Sequence, residues 1–114
     1  MELSSTLDDG IMVVTATGDL SATSCNLLET ELSSQAEQGN RWIVLDLGGV
    51  RYVSSAGLRV FLVSARKLTS SGAFVLARPT AAVAQILKMT GFDRIVQVEP
   101  SLEAAVAAAQ TKKA

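Results

Sequence analysis

The stretch VRYVSSAGLRVF, residues 50–61, decides how this chain folds. An apolar run, WIVLDL at residues 42–47, precedes it and is typical of a buried strand. Downstream, apolar side chains recur at helical spacing through residues 58–68. Between strand and helix the chain carries two hydroxyls, Ser54 and Ser55. We therefore expect a strand-to-helix corner there, with a serine at the start of the helix.

A serine at such a corner can serve in two ways. It can cap the helix, because its oxygen accepts a hydrogen bond from a backbone N–H of the first turn. The same place tolerates a phosphate, since the helix start carries partial positive charge. Capping is the more frequent use on spacing alone, and the two uses are compatible. We interpret Ser55 as a modifiable switch, and Gly57 in the first turn as a place where another backbone or a partner approaches closely.

Composition restricts the class of function. The chain has 114 residues, of which 48% are hydrophobic and 18% charged, which fits one folded domain over residues 1–114 with an ordered core at about 3–110. A net charge of −1 without a basic run argues against a nucleic-acid partner. The sequence shows neither the ~18 consecutive apolar residues of a membrane span nor a secretory signal, so we expect a cytoplasmic protein without membrane insertion.

The side chains available for chemistry are few. The chain has no histidine, which excludes Ser-His-Asp and Cys-His catalytic sets and most zinc sites. The single cysteine, Cys25, falls in a helical pattern with Leu28 and is interpreted as a core thiol. Asp19 and Asp46 stand without a histidine or a metal-ligand cluster, so structural roles are expected for both. We therefore expect no enzymatic activity, no metal and no cofactor.

Strands and helices alternate along the chain from residue 11 onwards. Strands are predicted at about 2–6, 11–17, 42–47, 73–77 and 95–98, and helices at about 22–38, 56–70, 81–89 and 102–110. The sequence Asp-Asp-Gly at residues 8–10 predicts a turn that joins the first two strands as an antiparallel hairpin. Ser21 or Asp19 is expected to cap the first helix. Residues 48–53 are expected to leave the sheet. The alternation predicts a single-domain α/β fold. Its mostly parallel sheet has four to five strands with an antiparallel N-terminal strand, and about four helices follow in strand–helix superhelical order.

Two short segments are expected to meet at one edge of this sheet. Residues 18–21 and 48–55 each follow the carboxyl end of a predicted strand. In open α/β sheets the loops at that end form the functional edge. The sequence therefore places both segments in one candidate site.

Three segments resemble the signature of the STAS domain of bacterial anti-sigma factor antagonists. They are LDLGGVRYVSSAGL at 45–58, GDLS at 18–21 and TGF at 90–92, and the resemblance covers about residues 3–110. It implies the STAS fold and a non-enzymatic binding module. It further implies that an anti-sigma factor with serine kinase activity binds this chain and releases a sigma factor. The kinase would then phosphorylate the serine two residues before the motif glycine, Ser55, and a serine phosphatase would reset it.

The same resemblance implies a contact surface around the phosphate acceptor. The residues expected there are Asp19, Leu20, Ser21, Ser54, Ser55, Ala56, Gly57, Leu58 and Arg59. Leu58 also begins the apolar stripe of its helix, which favours a place in the core. We expect the protein to be a monomer or a weak dimer.

Three positions depart from the family pattern. Ser54 replaces the aspartate that usually precedes the acceptor, Ala56 replaces a second hydroxyl, and Ser21 replaces an aspartate of the earlier turn. The lost aspartate before the acceptor supports an alternative. In that alternative the chain is a STAS module that is never phosphorylated and serves as a lipid-transport accessory subunit or a signalling scaffold.

Overall fold

A five-stranded sheet organises the computed structural model, which describes residues 1–113. The strands, in spatial as well as chain order, are β1 (Glu2–Asp8), β2 (Ile11–Leu20), β3 (Trp42–Val53), β4 (Ala73–Ala77) and β5 (Gln97–Glu99). Among residues 1–113 the helices are α1 (Cys25–Glu37), α2 (Ser55–Thr69), α3 (Ala81–Thr90) and α4 (Leu102–Lys113). β1 pairs antiparallel with β2, and the remaining neighbours pair in parallel. The predicted α/β fold is confirmed.

The sheet is covered on both faces, and β3 shows why its sequence is apolar almost throughout. Successive side chains of a strand point to opposite faces. Ile43 and Leu45 therefore pack into the core beneath α1, α2 and α3, whereas Val44 packs into the smaller core beneath α4. All three side chains are fully buried. A strand buried on both faces reads as a continuous hydrophobic run.

The helices contribute large side chains to one core and small side chains to the other. The larger core takes Leu28 and Leu32 from α1 and Phe61 from α2, and all of them are 3% exposed or less. Cys25 lies in the same core, which confirms its interpretation as a core thiol. α4 instead buries Ala105 and Ala109. Their small side chains allow this helix to lie close to the sheet.

β2 and β3 extend further than the sequence predicts. The prediction that residues 48–53 leave the sheet is wrong, because their backbone pairs in parallel with the end of β2. Asp19 is in register with Tyr52, and Leu20 with Val53. The register shifts twice on the way, and each shift leaves one extra residue in β3. Such bulges bend a strand and change where its last side chains point.

The start of α1 also differs from its prediction. α1 begins at Cys25 and not at Ala22, because β2 continues to Leu20 and the chain needs a turn before the helix. The Cys25 amide closes this turn on the carbonyl of Ser21 at 3.0 Å. Ser24 occupies the N-cap position without a side-chain cap hydrogen bond. The expectation that Ser21 or Asp19 caps α1 is therefore wrong.

The ends of the other strands and helices lie close to the positions that turn and capping residues predict. β1 runs to Asp8, and its turn into β2 has positive φ at Asp9 and Gly10. Thr80 caps α3 by accepting a hydrogen bond from the Val83 amide, and Gly91 ends that helix. A 3-10 turn at Phe92–Arg94 precedes the last strand, which spans Gln97–Glu99 and begins two residues later than predicted. In the described part of the chain, no helix is both long enough and apolar enough to cross a bilayer.

Candidate functional site

The ends of β2 and β3 lie side by side at the carboxyl edge of the sheet and lead into the two helices that flank the site. The Ser54 amide donates a hydrogen bond of 2.8 Å to the Leu20 carbonyl. This bond joins the last residue of β2 to the residue between β3 and α2. The two segments predicted to meet at this edge, residues 18–21 and 48–55, are therefore in contact.

Ser54 and Ser55 have different structural roles. Ser54 is the N-cap of α2, with an extended backbone, and its Oγ accepts a hydrogen bond from the Gly57 amide at 3.2 Å. Ser55 is the first residue of the helix and its side chain is exposed. Sequence reasoning allowed one serine to be both cap and acceptor. The structure assigns the cap to Ser54, so the Ser55 hydroxyl is not needed to satisfy the helix end.

Gly57 is buried where α2 meets the ends of both strands. A Cβ at this position would lie 2.9 Å from Cγ1 of Val53 and 3.1 Å from Cβ of Leu20. The close approach inferred from the sequence is therefore an approach of the chain to itself. The glycine allows α2 to begin directly against the sheet, which holds the Ser55 position firmly.

The expected contact surface divides into exposed and buried members. Leu20 is fully buried and Leu58 is 9% exposed, and both belong to the larger core. Both leucines therefore pack beneath the exposed residues of the expected surface. Ala56 is half-buried, and Arg59 is exposed one turn into α2. The exposed serine and Arg59 remain available.

Hydroxyl side chains form the hydrogen bonds that hold the loop after β2. The Ser21 amide donates to Ser24 Oγ at 2.9 Å, and Ser24 Oγ donates to the Asp19 carbonyl at 2.7 Å. Ser21 Oγ lies 2.9 Å from Thr23 Oγ1. These bonds hold the turn between β2 and α1 in one shape. Ser21 is thus a turn-forming residue at the site.

An exposed ion pair connects the two strand ends. Nε of Arg51 lies 3.3 Å from Oδ1 of Asp19, and the two side chains are 80% and 46% exposed. Exposed pairs of this kind contribute little to stability. The pair links charged side chains from the ends of β2 and β3 on the protein surface. The sequence prediction placed Arg51 and its neighbour Tyr52 outside the sheet, whereas both lie within β3.

A second, more buried ion pair stabilises the first bulge of β3. Asp46 is 3% exposed and accepts hydrogen bonds from the Gly48 amide at 3.0 Å and from Arg78 Nε at 2.7 Å and Nη2 at 3.1 Å. Hydrogen bonding to Asp46, together with its negative charge, raises the pKa of Arg78. The guanidinium lies over Gly48, where a Cβ would come within 2.4 Å of Arg78 Cζ. The structural role expected for Asp46 is confirmed.

The exposed groups at this end of the sheet are hydroxyls, one ion pair, an arginine and the ring of Tyr52. Within residues 1–113, no three His, Cys, Asp or Glu side chains come together as a possible metal site.

Comparison with known proteins assigns the family. The sequence model of the STAS domain matches residues 3–105. The chain belongs to the STAS domain family. A STAS relative from Bordetella bronchiseptica, named the anti-sigma factor antagonist BtrV, is 38% identical over 112 residues, which cover 97% of each chain.

Solved structures show the same STAS fold. An anti-sigma factor antagonist from Mycobacterium paratuberculosis superposes with a TM-score of 0.89 at 23% identity, covering 96% of this chain and 93% of the other. TM1081 from Thermotoga maritima gives 0.88 at 23% identity, covering 95% and 94%. SpoIIAA of Bacillus in its phosphorylated form gives 0.70 at 16% identity, covering 94% and 98%. At these identities the likeness establishes the fold.

Proposed function

We propose that this STAS domain is an anti-sigma factor antagonist. It binds an anti-sigma factor that is also a serine kinase, which frees a sigma factor, and phosphorylation of Ser55 ends the binding. The observation that carries the proposal is the exposed Ser55 side chain at the first position of α2. The relative BtrV, which matches nearly the whole chain, is named for the same activity. The chain itself acts by binding and without catalysis.

The change in charge explains the release. An unmodified serine is neutral and can be covered by a partner at little cost. A phosphate adds about −1.5 to −2 charges and three strong acceptors at the same place. Covering it without a matching cation costs several kcal/mol, and every 1.4 kcal/mol weakens binding about tenfold. Phosphorylation at Ser55 therefore opposes a partner that docks over the start of α2.

The domain itself tolerates the phosphate. The first turn of α2 presents free backbone N–H groups and contains no acidic residue. Anions near a helix start are favoured by the helix dipole. Because the phosphate remains in water in the free protein, we expect modification to change binding and not folding.

The departures from the family pattern leave the geometry intact. Ser54, which stands where the family usually has aspartate, makes the cap hydrogen bond that an aspartate would make. The charge of that aspartate is lost, which changes the surface that the kinase meets beside Ser55. A serine phosphatase resets the switch in this proposal. Because sigma factors act on RNA polymerase, the proposal places the protein in the cytoplasm.

Binding and phosphorylation are tested with purified proteins. Each anti-sigma factor kinase encoded in the same genome is titrated with this chain by calorimetry and incubated with it and radiolabelled ATP. The tightest binder is the cognate partner. We expect it to phosphorylate the wild type and Ser54→Ala but not Ser55→Ala. We also expect Ser55→Ala to bind like the wild type and Ser55→Asp to bind more weakly.

Two results would contradict the proposal. Equal phosphate incorporation into Ser55→Ala would show that another residue is the acceptor. No binding to any such kinase, together with capture of a transporter ATPase that binds the purified chain directly, would favour the lipid-transport alternative.

A further inference from the structure

We propose that Arg51 and Tyr52 belong to the partner-binding surface, and that the anti-sigma factor presents an apolar pocket bordered by carboxylates to them; this inference rests on the proposed function. Neither residue lies in the surface expected from the sequence. Both lie in the part of β3 that the sequence placed outside the sheet. They become candidates only because the strand continues to Val53.

Tyr52 is an exposed aromatic side chain on rigid backbone. It is 52% exposed although it lies within β3 and is paired in register with Asp19. A tyrosine has few rotatable bonds, so holding its ring against a partner costs little conformational entropy. Tyrosine and arginine are enriched among the residues that dominate binding energy at interfaces. Tyr52 therefore has the form of an interface anchor.

The position of Tyr52 distinguishes it from other exposed apolar side chains. Single exposed apolar residues are ordinary on protein surfaces. Leu7, for example, is 57% exposed, but it is paired with Met12 at the opposite edge of the sheet. Tyr52 instead lies at the carboxyl end of β3, two residues before Ser54, the cap of the helix that begins at Ser55.

The exposed charges at the ends of β2 and β3 and in the first turns of α2 favour an acidic partner. Arg51 uses Nε and Nη2 toward Asp19, which leaves other guanidinium N–H groups for a partner. Arg59 is also exposed nearby on α2. Two arginines and one aspartate give this surface a net positive charge before modification. A carboxylate-lined surface on the partner would complement it.

The charges of Arg51, Arg59 and Asp19 also increase the effect that phosphorylation has on partner binding. A phosphate of about −1.5 to −2 charges on Ser55 would change the surface from net positive to net negative. Carboxylates that face Arg51 in the complex would then be repelled by the phosphate. Release would follow from this repulsion as well as from the cost of covering the phosphate.

The test compares each substitution with a matched change elsewhere on the protein. Calorimetry with the cognate anti-sigma factor kinase measures Tyr52→Ala against Leu7→Ala, two side chains of nearly equal exposure. Arg51→Glu is measured against Arg66→Glu, which makes the same charge change in the last turn of α2. We expect Tyr52→Ala and Arg51→Glu each to weaken binding about tenfold or more, and the controls to change it less than about twofold. Thermal melting confirms that all four variants are folded.

Salt dependence tests the charge of the partner separately. Raising the salt from about 0.05 to about 0.5 M should weaken the wild-type complex, because screening reduces attraction between opposite charges. The effect should be smaller for Arg51→Glu. Binding of Tyr52→Ala and Arg51→Glu within about twofold of the wild type, while Ser55→Asp still releases the partner, would overturn this inference and leave the proposed function standing. Failure of the wild type and Ser55→Ala to bind any such kinase would overturn both.

Discussion

The amide of Ser54 is bonded to the carbonyl of Leu20 at 2.8 Å, and this bond connects two segments more than thirty residues apart. It places the start of α2 against the end of β2. The cap of α2 and the exposed Ser55 are therefore positioned by the sheet.

Because Ser54 caps α2 and Ser55 does not, substitution of the two serines is predicted to affect stability unequally. Ser54→Ala removes the oxygen that accepts from the Gly57 amide, so we expect the free energy of unfolding to fall by about 1 kcal/mol. Ser55→Ala removes an exposed hydroxyl and should change it by less than about 0.5 kcal/mol. Urea denaturation followed by circular dichroism measures both. A larger loss for Ser55→Ala would show that the cap is assigned to the wrong serine.

Gly57→Ala is predicted to destabilise the protein although alanine favours helices. The added Cβ would lie 2.9 Å from Cγ1 of Val53 and 3.1 Å from Cβ of Leu20, both in the core. We expect overpacking to outweigh the helix preference of about 1 kcal/mol and to give a net loss of about 1–2 kcal/mol. In the Val53→Ala background, where one of the two contacts is absent, the same substitution should cost less. A stabilising effect in the wild-type background would disprove the close contact.

The two ion pairs are predicted to differ in their contribution to stability. Arg78→Met keeps a long side chain but leaves the buried Asp46 carboxylate with the Gly48 amide, and we expect a loss of about 2–3 kcal/mol. Arg51→Met breaks an exposed pair and should cost about 0.5 kcal/mol or less. Guanidinium is unsuitable for this measurement because its salt screens charges, so urea is used. Equal losses would mean that burial of Asp46 does not matter.

Glu31 is predicted to make stability depend on pH below neutrality. Hydrogen bonds from Gln35 and then from Ser5 lower the pKa of Glu31 from its ordinary value of 4.5. A carboxyl with a lowered pKa in the folded state stabilises the fold above its unfolded pKa, and this contribution is lost as the pH falls through the folded pKa. The wild type should therefore be more stable than Glu31→Gln near pH 7 by about 1 kcal/mol or less, and the difference should shrink below pH 4.5.

Urea denaturation at a series of pH values tests this prediction. Ser5→Ala serves as the companion variant, because it removes the hydrogen bond that joins β1 to α1 and leaves the carboxyl in place. Its pH dependence should be weaker than that of the wild type. A difference between the wild type and Glu31→Gln that grows as the pH falls would contradict the assigned direction of the shift.

Much of the candidate site could be predicted from the sequence. The features that could not be predicted depend on contacts between segments that are distant in the chain. The corner at residues 54–55 and the exposed position of Ser55 follow from local patterns, since a strand signal, a hydroxyl pair and a helical stripe are consecutive. The burial of Leu20 could not be predicted, because it depends on α1 and α2 packing over the end of β2. The neighbourhood of Arg51 and Asp19 depends on pairing between strands that are distant in the chain.

The sequence by itself determined the α/β class, the order of strands and helices, the core positions of Cys25 and Leu28, and the serine corner. Periodicity and turn residues act over a few neighbours, so a single sequence reveals them. Only the tertiary structure decided that β3 continues to Val53, that α1 begins at Cys25, and that Ser54 is the cap. The first two depend on pairing between β2 and β3, whose register is set by the packed sheet and not by the local sequence. The third depends on the bond that holds the Ser54 amide to Leu20 and leaves the Ser54 hydroxyl facing the Gly57 amide.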